Sequence, residues 1–141
     1  MNKIEFRDQC VVVSQVDQIV RVKRPEICLP LEEFVKDKST GKKVKVVVKV
    51  APVFHVPNGG NRSPETGANM KRLGTRSGIP DLISPFNGGI AIEMKTEAGS
   101  LSRNQKTWID FFDSCGWRVV VCLSAGAAIQ ELLEHFEVER R

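Results

Sequence analysis

The segment GIPDLISPFNGGIAIEMK, residues 78–95, places three charged side chains among apolar and turn-forming residues. Alternate side chains of a strand point to opposite faces. The run IAIEMK (90–95) therefore presents its two isoleucines and its methionine on one face. Glu93 and Lys95 fall on the other face with Ala91. The pattern predicts a strand that is apolar on one side and charged on the other.

A second strand is predicted just before this one. The run IPDLIS (79–84) has strand character, and PFNGG (85–89) contains the Asn-Gly pair typical of a hairpin turn. Antiparallel pairing through that turn brings the beginning of the first strand beside the end of the second. We therefore expect Asp81, Glu93 and Lys95 to converge.

Two converging carboxylates restrict the nature of the site. Asp81 and Glu93 cannot lie close together in ionised form unless a cation lies between them or one of them takes up a proton. A hard divalent ion bound through oxygen, such as magnesium, meets this need. The alternative is that Glu93 and Lys95 form an exposed ion pair on an edge strand and that Asp81 only marks a strand entrance.

Pro80-Asp81 and Glu93-Met94-Lys95 together resemble the motif of the PD-(D/E)xK nucleases. More narrowly, the sequence resembles the VRR-NUC branch of that superfamily, of the stand-alone phage and bacterial type. The similarity follows the family's order through four segments: FHVPNGGNR (54–62), MKRLGTRSGIPDL (70–82), IEMKTEAGSLSRNQ (92–105) and GWRVVVCLSA (116–125).

The resemblance implies an α/β fold with a restriction-endonuclease-like core, in which helices flank a mixed sheet. We expect one nuclease domain over residues 1–141, with a lysine-rich hairpin inserted at 31–50. Alternation of valine and lysine in KVKVVVKV (43–50) after a polar, glycine-containing turn independently predicts that hairpin.

The resemblance also implies a metal-dependent DNA endonuclease, structure-selective for branched DNA such as a Holliday junction. Asp81, Glu93 and the carbonyl group of Met94 would hold Mg²⁺ or Mn²⁺. Lys95 would orient or deprotonate the attacking water and stabilise the transition state. Alternatives are an exonuclease or flap nuclease of the same fold, and a DNA-binding module without catalytic activity.

Members of the family usually add a glutamate from the first helix as a further metal ligand, often with a glutamine one turn later. Glu5 and Gln9 have this spacing, so Glu5 is the predicted fourth ligand. Glu26, Glu32 and Glu33 are the competing choices.

Gln105 has two predicted roles. With Ser102 it forms S-x-x-Q, a capping box in which the glutamine side chain binds the backbone of the cap residue. The family resemblance adds catalytic support near the scissile phosphate or the attacking water.

Six residues are predicted to contact DNA. His55 could orient a phosphate or simply pack beside its apolar neighbours, and Asn58 could belong to a phosphate-binding turn or an ordinary one. The others come from a basic stretch: Arg62, Lys71, Arg72 and Arg76. Lys43, Lys45 and Lys49 form another basic row, which could contact DNA or protect a solvated edge from aggregation.

Composition is compatible with these assignments. Twenty-one lysines and arginines against 17 acidic residues give a net charge of +4, which favours a polyanionic partner. The four cysteines lack metal-site spacing and are expected to be buried thiols. We find no membrane-spanning run and no signal-peptide core, so a cytoplasmic protein is expected.

Periodicity predicts the remaining elements. A helix is expected within 1–22, although CVVVSQV (10–16) also has strand propensity. A short helix is expected in the basic stretch after Gly60, and a capped helix from Ser102 to Gly116. A buried strand is expected at 117–123, followed by a last helix capped by Ser124.

A homodimer is the expected active form. One chain of this size carries one cluster of catalytic residues, whereas resolving a junction requires two symmetric cuts. The valine-rich hairpin or the apolar N-terminal segment could supply the self-complementary patch that a two-fold dimer needs. The alternative is a monomer whose valines complete its own core.

Overall fold

A computed structural model of the chain describes residues 3–57, 63–96 and 99–139. Four α-helices and six strands occur in this part of the chain. In order they are α1 (Lys3–Lys23), β1 (Leu29–Lys36), β2 (Lys43–Val50), β3 (Phe54–His55), α2 (Pro64–Arg72), β4 (Leu82–Ser84), β5 (Ile90–Met94), α3 (Arg103–Ser114), β6 (Arg118–Cys122) and α4 (Ala125–His135).

The main sheet is mixed and has the order β3-β4-β5-β6. The pairs β3/β4 and β4/β5 are antiparallel, whereas β5 and β6 are parallel. A parallel neighbour requires a crossover connection, and α3 provides it between β5 and β6. This is the predicted α/β architecture of a mixed sheet flanked by helices.

The core forms where α1 and α4 cover one face of the sheet. Val12, Val16 and Val20 recur every four residues along α1 and are fully buried, because side chains four apart share a helix face. They belong to one cluster with the inner face of α4 and with the residues of β5 predicted to share a face: Ile90, Ile92 and Met94. The helical prediction for the N-terminal segment is thus confirmed, and so is the apolar face of β5.

The β4/β5 hairpin has the predicted direction but a shorter first strand. We predicted a strand over 79–84, whereas β4 begins at Leu82. Pro80 explains the difference, because proline lacks the N–H that a ladder needs. The connection is also longer than a two-residue turn, since Ser84 pairs with Ile90. Asn87 has a positive φ of 49° within this connection.

Strand β6 lies at the edge of the sheet rather than in its interior. The prediction of a buried strand at 117–123 is therefore wrong in its environment, although the strand itself exists. Val121 is 40% exposed. An apolar sequence run does not reveal whether a strand has neighbours on both sides.

The prediction of four buried thiols is half wrong. Cys28 and Cys122 are buried, whereas Cys10 and Cys115 are exposed, and all four are free. Cys10 precedes the exposed Val11 and lies off the face of α1 that carries the buried valines. Cys115 follows the last residue of α3.

Strands β1 and β2 form a separate two-stranded ribbon, in the place where we predicted an inserted hairpin. Leu31 pairs with Val48 and Val35 with Val44, so these residues share one face of the ribbon. The chain leaves the ribbon at Ala51, whose N–H donates to Asp17 Oδ1 of α1 at 2.8 Å. No helix within the described residues is long and apolar enough to cross a membrane.

Gly89 fixes the approach of the β4/β5 connection to Trp117. A Cβ atom at Gly89, where φ is +97°, would lie 2.2 Å from Trp117 Cδ2. At Gly88 φ is +85°, and no heavy atom lies within 4 Å of a Cβ atom there. Both glycines have a positive φ, but only Gly89 lies against another side chain. Substituting each one therefore distinguishes backbone strain from steric overlap.

We predict that Gly89→Ala lowers the free energy of unfolding by roughly 1–3 kcal/mol more than Gly88→Ala, because only the former adds overpacking to the strain of a positive φ. Urea unfolding of both variants measures the difference. Equal losses in the two variants would contradict the tight contact at Trp117.

Candidate active site

The hairpin register brings Asp81 and Glu93 together. Leu82 pairs with Ile92, so the residues immediately before and after this pair lie across from one another. The backbone N–H of Met94 donates to Asp81 Oδ2 at 2.8 Å. This hydrogen bond joins the residue before β4 to the end of β5, as the sequence predicted.

Glu93 is a buried acid on the central part of the sheet. It is only 2% exposed. Gln105 Nε2 of α3 donates to Glu93 Oε1 at 2.9 Å. Glu93 Oε2 is buried and has no hydrogen-bond partner among the described residues. Buried polar atoms are normally paired, so this oxygen is available for a ligand or a proton.

Burial and the neighbouring charge of Asp81 raise the pKa of Glu93 to about 8. Burial likewise raises the pKa of Asp81, against the hydrogen bond from Met94, which lowers it. The charge of Asp81 is close enough to disfavour ionisation of Glu93. At neutral pH the pair is therefore favoured by a proton on one carboxyl group or by a cation beside both.

A polar cavity of about 190 Å³ opens beside this pair. Lys95 lines it and is half-buried. The positive charge of Lys95 lowers the pKa of both Asp81 and Glu93, although other effects dominate. The cavity therefore combines acidic side chains with one ammonium group.

Glu5 also lines the cavity, and its charge raises the pKa of both Asp81 and Glu93. The competing glutamates do not line it. Glu26 pairs with Arg24 at 2.9 Å, and Glu32 lies on the ribbon beside Lys45 at 3.4 Å. Of the four predicted candidates, Glu5 is the one placed beside the acidic pair, although its role as a metal ligand stays a prediction.

Helix α3 starts at the predicted capping box. The Ser102 side chain accepts from the backbone N–H of Gln105 at 3.2 Å, and Gln105 Oε1 accepts from the N–H of Ser102 at 2.8 Å. The same glutamine contacts Glu93 through its amide nitrogen. The predicted capping role is therefore confirmed, whereas the catalytic role of Gln105 stays a prediction.

Two contacts that the sequence analysis missed hold α3 against the loop before Asp81. Trp108 Nε1 donates to the carbonyl oxygen of Ser77 at 3.0 Å. A Cβ atom at Gly78, where φ is +87°, would lie 2.6 Å from the backbone carbon of Asn104. Only glycine permits this approach. The sequence shows a glycine directly before Ile-Pro-Asp, but it does not show that this glycine lies against α3.

The predicted DNA-contacting residues are only partly described. His55 is exposed, so the alternative that it packs among apolar neighbours is wrong. Its Nδ1 lies 3.2 Å from the carbonyl oxygen of Asp81, which places it near the acidic pair. Lys71, Arg72 and Arg76 are exposed on and after α2. Asn58 and Arg62 lie outside the described residues.

Comparison with known proteins agrees with this arrangement. The sequence model of the VRR-NUC domain matches residues 57–126, which include Asp81, Glu93, Lys95 and Gln105. This part of the chain is a VRR-NUC domain. A solved structure called a VRR_NUC domain protein shares its fold with a TM-score of 0.61 and 21% identity, over 99% of this chain and 93% of that one. Among curated proteins, none matches this chain.

The residues present in this VRR-NUC domain fit a divalent metal ion. Within 3–57, 63–96 and 99–139, no three His, Cys, Asp or Glu side chains come together as a complete metal site. Magnesium does not require three, because it is usually bound through one or two carboxylates and keeps several waters. The uncompensated Glu93 Oε2 and the adjacent Asp81 supply oxygen ligands of that type.

The raised pKa of Glu93 predicts a pH-dependent cost in the metal-free protein. Its pKa is 4.5 when unfolded and about 8 when folded, so the folded state binds more protons between these values. Stability should therefore fall as pH rises through this window. Glu93→Gln removes the ionisation, so we expect the variant to gain stability relative to wild type from pH 5 to pH 8, by up to a few kcal/mol.

Thermal unfolding in the presence of a chelator, at half-unit pH steps, tests this expectation. Asp110→Asn is the matched control, since Asp110 is an exposed acid on α3. If Glu93→Gln follows the wild-type pH dependence throughout, Glu93 does not have a strongly raised pKa.

Proposed function

We propose that this protein is a Mg²⁺- or Mn²⁺-dependent DNA endonuclease that acts on branched DNA. The single observation that carries this proposal is the pairing of half-buried Asp81 with buried Glu93 at the wall of a polar cavity. The match to the VRR-NUC domain supports the general assignment as a nuclease, since this domain has a nuclease-type fold and VRR-NUC nucleases act on DNA. Metal dependence and the choice of substrate are inferred from the site.

The acidic pair argues against a module that only binds DNA. Two carboxylates beside a phosphate repel it, and burying them costs free energy as well. A binding surface would gain by replacing them with neutral residues. A catalytic site that takes up a divalent cation requires them, because the cation offsets both the repulsion and the burial.

One oxygen of each carboxylate is held by the protein: Asp81 Oδ2 accepts from Met94, and Glu93 Oε1 accepts from Gln105. Glu93 Oε2 has no hydrogen-bond partner among the described residues. Asp81 Oδ1, Glu93 Oε2 and the carbonyl oxygen of Met94 would hold the metal ion, with Glu5 as an additional ligand. Such an ion lowers the pKa of a bound water and acts as a Lewis acid at the phosphoryl group.

Lys95 supplies the positive charge that the chemistry needs beyond the metal ligands. Its backbone N–H donates to the carbonyl oxygen of Cys122 at 2.9 Å, which fixes the chain at the end of β5. The ammonium group in the cavity would orient the attacking water and stabilise charge that builds on the phosphoryl oxygens. Gln105 positions Glu93 through its amide hydrogen bond and would help to hold the water.

Exposed basic residues that precede Asp81 along the chain would position the DNA backbone. Lys71 and Arg72 end α2, and Arg76 lies in the loop that leads to Asp81. His55 is anchored to the carbonyl oxygen of Asp81. Contacts to phosphates fix the register of a duplex without reading its sequence, so we expect structure to select the substrate rather than base sequence.

A homodimer would place two such sites on one junction. Four apolar side chains of the ribbon are 40–49% exposed on a single face: Leu29, Leu31, Val35 and Val44. A two-stranded hairpin is only marginally stable by itself in water. A second copy of the chain, related by a two-fold axis, would cover this face and pair two cleavage sites for symmetric cuts.

The metal ligands and the lysine give separable predictions. Asp81→Asn and Glu93→Gln should each reduce cleavage of a four-way junction by at least about 10³-fold, because each removes a ligand charge and little volume. Lys95→Ala should reduce the cleavage rate while Mn²⁺ binding is retained. Single-turnover cleavage and calorimetric titration of Mn²⁺ measure the two effects.

Asp110→Asn again serves as the control and should cleave like wild type. Wild-type turnover in Asp81→Asn or Glu93→Gln would refute the assignment of the pair. Loss of Mn²⁺ binding in Lys95→Ala would contradict the proposed role of the lysine.

The dimer predicts a coupled loss of assembly and paired cutting. Val44→Glu places a charge on the apolar face of the ribbon, at a position distant in sequence from Asp81 and Glu93. We expect it to convert a dimer into a monomer in light scattering and to abolish paired cuts in a junction, while single nicks persist. A wild-type monomer that cuts linear duplex as readily as a junction would contradict this proposal.

A further inference from the structure

The second face of the ribbon is basic and takes no part in the cleavage site described above. Strand register places Lys36 opposite Lys43, Phe34 opposite Lys45 and Pro30 opposite Lys49. We call the four lysines of this side the lysine face: Lys36, Lys43, Lys45 and Lys49. All four are exposed.

Most of the chain's excess positive charge lies on the ribbon. Residues 29–50 contain six lysines and three acids, a net charge of +3 against +4 for the whole chain. A charge excess concentrated on one projecting element creates a local field, whereas the same excess scattered over a surface does not. The field around this ribbon favours a polyanion.

Little of this charge is neutralised within the protein. Lys45 pairs with Glu32 at 3.4 Å, but both side chains are more than half exposed, so the pair contributes about 0–1 kcal/mol. Among the described residues, the other three lysines of the lysine face form no ion pair. Their ammonium groups can exchange water and counterions for phosphates at little cost.

The shape of the ribbon suits a DNA backbone. Residues that share a strand face are about 7 Å apart, so an eight-residue strand carries charge along roughly 27 Å. Lysines occur at the tip, middle and base of this length. The major groove of B-DNA is wide enough for a two-stranded β-ribbon. Phe34, which is 68% exposed, adds an aromatic side chain in the middle of the lysine face.

Protection against aggregation explains only part of this arrangement. The lysines could shield Phe34 and Val47, which lie on the same face and are 68% and 62% exposed. The opposite face of the two strands also exposes apolar side chains, yet its charged residue is Glu33 and it carries no lysine. The four lysines are therefore concentrated on one face, and the two faces differ in charge.

We propose that the lysine face is a second DNA-binding site, which holds the phosphate backbone of a duplex arm outside the cleaved phosphate. This inference rests on the proposed function only in taking DNA as the ligand. Its predicted recognition is electrostatic and independent of sequence, since lysines contact phosphates as point charges. The ribbon, which takes no part in the cleavage site, would then contribute to DNA binding.

The test compares two quadruple variants of the lysine face in metal-free protein, with lysine replaced by glutamine in one and by arginine in the other. Fluorescence anisotropy with a 40-base-pair duplex at 50–200 mM KCl gives Kd and its salt dependence. We expect the glutamine variant to bind at least about 10-fold more weakly, with a salt slope smaller by roughly 2–4, because phosphate contacts release counterions. The arginine variant should bind like wild type.

Hydroxyl-radical footprinting gives a second readout, in which the glutamine variant should protect a shorter stretch of backbone. Wild-type Kd, salt slope and footprint in the glutamine variant would overturn the inference. Weak binding in both variants would also overturn it, because charge would then not be the cause.

Cleavage with Mg²⁺ separates this inference from the proposed function. At saturating DNA, the glutamine variant should cut at the wild-type rate. If wild type cuts no DNA but the glutamine variant still loses affinity, the proposed function fails and the lysine face stands. If wild type cuts and the glutamine variant binds normally, the lysine face fails alone.

Discussion

The burial of Glu93 beside Asp81 is the constraint on which the rest of the site depends. A carboxylate that is 2% exposed next to a second carboxylate is unfavourable, so the fold must hold it in place by other means. The apolar face of β5 does so from one side, where Ile90, Ile92 and Met94 join the core formed with α1 and α4. From the other side, Gln105 of α3 binds one oxygen of Glu93.

This arrangement connects distant parts of the chain to one cavity. Helix α1 contributes Glu5, the loop before β4 contributes Asp81, and the start of α3 contributes Gln105. Gly78 and the Trp108–Ser77 hydrogen bond set the distance between that loop and α3. Because glycine alone allows the backbones to approach this closely, the geometry of the acidic pair depends on a residue without a side chain.

The sequence predicted those features that depend on local rules. Strand alternation and the Asn-Gly turn were enough to predict that Asp81 and Glu93 converge. The pair Ser102 and Gln105 was enough to predict the start of α3. Features set by neighbours distant in sequence were not predictable in this way. The edge position of β6, the exposure of Cys115 and His55, and the contact of Gly78 with Asn104 all depend on which elements meet in three dimensions.

The central claim is that Asp81 and Glu93 together hold a divalent metal ion. The most direct measurement is the anomalous scattering of Mn²⁺ in crystals of the protein grown with this ion. A peak bounded by Asp81 Oδ1, Glu93 Oε2 and the carbonyl oxygen of Met94 is the result predicted here. A fully ordered site without such a peak, or with Mn²⁺ bound only elsewhere, would contradict the account.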